Sequence, residues 1–151
     1  MNNHQFRKLS RSVSRGLVEI EKDGVSCCGL PILQSHILIE LGENPNLSLN
    51  EVAKKLSSEK ASISRAVQSL VEKGLVDRQT ETHDRRSVTL SLTTKGLDNF
   101  NDINKEMNDY AEQILSHFTT EETDSLFYYL NKLDETIQLV NNKQCNKDEC
   151  Q

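Results

Sequence analysis

The sequence predicts a mainly α fold of the α+β class, with one small antiparallel hairpin set among helices. Three observations carry this. Apolar residues recur at spacings of three and four along most of the 151 residues. Alternation typical of strands is confined to Leu75-Val-Asp-Arg-Gln-Thr and Ser87-Val-Thr-Leu-Ser-Leu92, which flank the polar tip Glu81-Thr-His-Asp-Arg-Arg86. Two short helices joined by a tight turn stand immediately before that hairpin. This order is a winged helix-turn-helix with a two-stranded wing and long helices at both ends.

Each element has a local reason. From about Asn3 to Lys22, Phe6, Leu9, Val13, Leu17 and Ile20 form one stripe of a helix, and Asp23-Gly24 is expected to break it. The linker holding Val25-Ser-Cys-Cys-Gly29 leads to Pro31, suited to the first turn of an apolar helix ending near Leu41. Gly42-Glu-Asn-Pro-Asn46 closes that helix. Ser48 and Glu51 form a capping box for the helix to Leu56. After Ser57-Ser58, a second helix runs from Glu59 to Lys73, with Gly74 as its C′ residue. Its buried face is Ile63, Ala66, Val67, Leu70 and Val71, which leaves Lys60, Ser62, Ser64, Arg65 and Gln68 outside. Beyond the wing, Thr93 or Thr94 caps a helix reaching about His117. Thr119 and Glu122 form another capping box, opening a helix to about Asn142.

Composition narrows the function. No apolar run approaches about 18 residues, so no membrane span is expected. Met-Asn-Asn-His-Gln-Phe-Arg-Lys lacks an apolar core, so no secretory signal is read, a cytoplasmic location follows, and the thiols are expected to be reduced. The net charge of −5 is uneven. Between Lys54 and Gly96, nine Lys/Arg face five Asp/Glu, whereas from Leu97 onward four basic residues face twelve acidic ones. A basic reading head on an acidic body is compatible with DNA binding, because screening confines phosphate contacts to about 10 Å. The terminal helices are too apolar along one stripe to stand alone, which favours packing against a second chain. The organisation expected is one domain over 1–151. Dimerisation helices occupy 1–29 and 97–142, the winged helix-turn-helix 30–96, and a flexible cysteine-containing tail 143–151.

Ser62 and Ser64 lie near the start of the second helix, the end that enters a major groove. Gln68, one turn on, suits a bidentate contact to adenine. Arg85 or Arg86 reaches the minor groove or backbone from the wing tip. Lys60 and Lys73 are phosphate contacts or solvated charges. Cys27 and Cys28, with Cys145 and Cys150, make two close pairs. Thiolates favour soft ions such as trivalent arsenic, cadmium, zinc or monovalent copper, and neighbouring thiols also suit oxidation. Incidental reduced cysteines remain the alternative. His36 is a further possible ligand beside Cys27 or Cys28, although a lone helix histidine is more often structural.

The segments Val52-Ala-Lys-Lys-Leu56, Ile63-Ser-Arg-Ala-Val67, Leu70-Val-Glu-Lys-Gly-Leu-Val-Asp-Arg78, His83-Asp-Arg-Arg86 and Leu92-Thr-Thr-Lys-Gly96 resemble the MarR family of bacterial transcription regulators. More loosely, the resemblance runs from Arg7 to about Asn141. It implies a two-fold dimer through the first and last two helices, two heads on a pseudo-palindromic duplex, and repression released by an effector. Arg65 then pairs with the wing aspartate, Asp84, or contacts DNA directly. Interlaced terminal helices would bring the two cysteine pairs together within or across subunits. The paired histidines of zinc-sensing members have no match here beyond His117, and the first helix lacks the cysteine of peroxide-sensing members. A small aromatic or anionic ligand is the other effector class implied, and no cofactor is required.

An enzyme reading finds no Cys-x-x-Cys, phosphate-cradling glycine loop, Ser/His/Asp signature or His-Glu-x-x-His. A winged module that binds only protein is the remaining alternative, and the basic helix-and-wing surface argues against it.

Overall fold

The computed structural model describes residues 2–26, 28–80 and 88–148, with side chains except at 25, 26, 80 and 142–148. Its elements in order are α1 (Asn3–Ser26), α2 (Ile32–Glu43), β1 (Leu47–Ser48), α3 (Leu49–Lys55), α4 (Lys60–Glu72), β2 (Val76–Thr80), β3 (Val88–Leu92), α5 (Thr94–Leu115) and α6 (Thr120–Asp148). The fold is therefore mostly helical, as expected. It divides into two compact units, residues 1–110 and 111–151, so α5 belongs to the first as far as Tyr110.

The first unit is built around one apolar core. Ile37, Leu38 and Leu41 of α2, Val52 of α3, Ile63, Val67 and Leu70 of α4, Leu90 of β3 and Ile103 of α5 are all at most 1% exposed. These are the residues that spacings of three and four place on one face of each helix. The sheet is antiparallel in the order β1-β3-β2. Val76 pairs with Leu92 and Thr80 with Val88, which makes β2 and β3 the expected hairpin. A third strand joins it, with Leu47 opposite Leu90 and Ser48 opposite Thr89. Two residues are too few to show alternation, so this strand left no pattern in the sequence.

Two glycines expected to end helices, Gly24 and Gly42, lie inside them. Gly24 is buried within α1, and a Cβ there would meet Met107 Sδ at 2.6 Å. Gly42 lies within α2, where the Phe100 ring of α5 occupies the space of a Cβ. Both mark close helix crossings rather than breaks. Pro31 is the N-cap of α2, one position ahead of the first turn. Along α1, Phe6, Leu9, Val13 and Leu17 remain 49–58% exposed in this unit.

In the second unit, the Thr119–Glu122 capping box forms. Glu122 N donates to Thr119 Oγ1 at 3.2 Å, and Thr119 N donates to Glu122 Oε2 at 2.9 Å. The helix it opens passes the expected end at Asn142 and runs to Asp148, so six residues of the expected tail are helical. Phe127, Leu130, Ile137 and Val140 are exposed along it. No helix among the described residues is long and apolar enough to cross a membrane.

Candidate nucleic-acid interface

The helix-turn-helix is set by caps. Glu51 N donates to Ser48 Oγ at 3.3 Å, and Ser48 N donates to Glu51 Oε2 at 2.7 Å, completing the capping box of α3. The bonds from Ser48 hold the Glu51 carboxyl below its ordinary pKa. At the other end, Ser57 takes a left-handed conformation (φ 47°), Ser57 N donates to Lys54 O, and Ser58 N donates to Ala53 O. That is a Schellman ending with serine where glycine is usual. It turns the chain sharply enough for α4 to begin at Lys60.

Ile63, Ala66, Val67 and Leu70 of α4 face the core, whereas Lys60, Ser64, Arg65 and Gln68 are exposed and Ser62 is half-buried. The five candidates on this helix thus share its outer side. The N-cap Glu59 is exposed and makes no side-chain capping bond to the helix. Gln68 is already engaged: its Nε2 donates to Glu72 Oε1 at 2.9 Å. Glu72 was not singled out in the sequence, although its position four residues after Gln68 is the spacing for such a pair.

Several bonds fix the end of α4. Gly74, in the left-handed conformation (φ 70°), donates its N–H to Val71 O, and Leu75 N donates to Leu70 O. This is the expected glycine ending, in full Schellman form. Lys73 is exposed, and its Nζ donates to Oε1 of the buried Gln34 of α2 at 2.8 Å, a contact across the fold that the sequence did not show. Thr93, not Thr94, caps α5: its Oγ1 accepts from Gly96 N at 3.0 Å and donates to Gly74 O at 2.7 Å. Thr93 N donates to Leu75 O, and Lys95 Nζ donates to Lys73 O. The start of α5 and the end of α4 are therefore one joint.

The β2–β3 hairpin leads away from this joint with Arg78 exposed. Its connecting residues 81–87, including Asp84, Arg85 and Arg86, lie outside the described residues, and with them the expected Arg65–Asp84 pair. So do Cys27, Cys150 and the side chain of Cys145. Cys28 is half-buried against the core, with Sγ 3.8 Å from the Asn99 carbonyl oxygen of α5. His36 faces Glu21 of α1, Nε2 to Oε2 3.5 Å, which supports its structural role. Among the described residues, no three His, Cys, Asp or Glu side chains converge as metal ligands.

Residues 29–87 match the model of the MarR family. A curated relative, the HTH-type transcriptional regulator BilQ of Clostridium symbiosum, is 30% identical over 118 residues, covering 78% of this chain and 78% of its own length. A solved MarR protein from Peptoclostridium difficile superposes with a TM-score of 0.76 at 27% identity, over 91% of this chain and 89% of that one. FabT of Streptococcus pneumoniae, solved in complex with DNA, shares the fold with a TM-score of 0.81 at 21% identity, over 92% and 99%.

Proposed function

Because the chain belongs to the MarR family, we propose that it is a transcription regulator that binds duplex DNA through α4 and the β2–β3 hairpin. The carrying observation is the division of α4 into a fully buried face and an outer row of Lys60, Ser64, Arg65 and Gln68. A helix of 13 residues is sized for a major groove. The side chain of the N-cap Glu59 makes no bond to the first turn, so the positive end of the helix dipole suits a phosphate there. Ser62 and Ser64 sit near that end, and Gln68 lies a turn deeper along the groove. Arg85 and Arg86 at the wing tip extend the contact to the backbone or minor groove.

The regulator acts as a homodimer on a pseudo-palindromic operator, two heads meeting grooves about 34 Å apart. The exposed stripes of α1 and α6 support this, since apolar rows of that length call for a partner surface. Repression follows from occupying the operator, and an effector releases it by changing the spacing of the heads. The cysteines support one effector class, soft metals, metalloids or oxidants acting at Cys27, Cys28, Cys145 or Cys150. Cys28 contacts α5, which shares its first turn with the end of α4, so an adduct there would disturb the helix that carries the reading face. A small aromatic or anionic ligand is the alternative effector.

Binding anisotropy with reduced protein and its own upstream promoter DNA tests the proposal. Salt-dependent binding supports the DNA reading, and its absence leaves a protein-interaction module. Arsenite, cadmium, zinc and mild peroxide, each tried with Cys27→Ser, Cys28→Ser and Cys145→Ser, separate the effector classes. Release lost in the variants supports thiol sensing, whereas indifference to every agent supports an organic effector.

A further inference from the structure

Glu72 is a carboxylate in an unfavourable place. It ends α4, where the negative pole of the helix dipole disfavours an anion. It also stands on the helix proposed to approach phosphates. Its contact is Gln68, whose Nε2 donates to Glu72 Oε1 at 2.9 Å on the exposed side of the helix.

A primary amide has one acceptor oxygen and two N–H donors, whereas a carboxylate only accepts. The nitrogen of Gln68 must therefore face Glu72, because the flipped amide would set oxygen against oxygen. One N–H is used in this bond, and one N–H and the carbonyl oxygen remain. Adenine offers an acceptor at N7 and a donor at N6 in the major groove, which match those two remaining groups. Guanine offers acceptors at both N7 and O6, and would need both N–H donors at once. We propose that Glu72 is a specificity-determining residue: by holding one N–H of Gln68, it leaves an amide that accepts adenine and excludes guanine. This rests on the DNA-binding reading above.

The test begins with selection of a preferred site from a randomised duplex pool by the full-length protein. Competition anisotropy then measures that site against each single-base change. Glu72→Ala is expected to lower adenine-over-guanine discrimination at one position per half-site by at least about fivefold, the low end for a bidentate pair. Gln68→Ala should act at the same position, and the double variant should add little to either. Glu72→Gln, whose amide can donate as well as accept, no longer fixes the orientation of Gln68 and should lose part of the discrimination. Removing the carboxylate from the helix end should leave the melting temperature unchanged or higher, which a merely structural residue would not do. Parental discrimination in Glu72→Ala, or an effect at a position indifferent to Gln68→Ala, would overturn the inference while DNA binding stood. Failure of the parent to bind any duplex would overturn the reading beneath it.

Discussion

Replacing Gly96 by alanine sets a methyl group against backbone. A Cβ at Gly96 lands on the Leu75 carbonyl oxygen, closer than any carbon–oxygen contact allows. Neither side is the free end of a side chain, because Gly96 lies in the first turn of α5 and Leu75 closes α4. Relief requires that turn to lift, which pulls on Thr93 Oγ1 to Gly74 O, Thr93 N to Leu75 O and Lys95 Nζ to Lys73 O. Overpacking a tight contact costs about 1–3 kcal/mol, and each hydrogen bond released adds about 1 kcal/mol. With all three released, the expected loss is roughly 4–6 kcal/mol, a large part of the roughly 5–15 kcal/mol that separates folded from unfolded domains. Urea unfolding followed by circular dichroism, repeated at several protein concentrations to separate folding from association, measures it. A loss within about 0.5 kcal/mol, typical of an unconstrained surface site, would refute the account of this joint.

Other outcomes follow from the same geometry. Ser57→Gly relieves a left-handed serine (φ 47°) and is expected to stabilise the chain by about 0.5–1 kcal/mol, read as a higher urea midpoint at constant slope. The Glu51 carboxyl titrates below its ordinary value because Ser48 bonds its charged form. The capping-box contribution is therefore complete above the unfolded carboxylate pKa and lost as pH falls through the folded one. The melting-temperature gap between the parent and Glu51→Ala should be present at neutral pH and close in acid; a gap constant with pH would contradict it. Arg85→Ala or Arg86→Ala should weaken DNA binding several-fold while sedimentation shows an unchanged assembly; full operator affinity in both would remove the wing from the interface.

What the sequence revealed was mostly local. The Ser48–Glu51 and Thr119–Glu122 boxes, the glycine ending at Gly74 and the buried face of α4 depend on neighbours within one or two turns. What stayed hidden depended on distant partners. Gly24 and Gly42 looked like breakers, because only Met107 and Phe100, arriving from α5, show that bare backbone is needed there. The bond from exposed Lys73 to Gln34 joins α4 to α2 across 39 positions of sequence, beyond the reach of any local pattern. Strand β1 needed β3 beside it to be a strand at all. For the candidate interface, helical spacing identified the outer row of α4. The Gln68–Glu72 bond was within reach of the same spacing argument, but a carboxylate on a DNA-facing helix draws no attention by charge alone.

The central claim, that α4 and its wing bind duplex DNA, is most directly tested by equilibrium anisotropy across a salt series. Reduced full-length protein would be titrated into its upstream promoter duplex and into random duplex of equal length. The account predicts tighter binding to the promoter, with log affinity falling linearly in log salt by about 0.9 per phosphate neutralised. Binding to neither duplex, or affinity indifferent to salt, would contradict it.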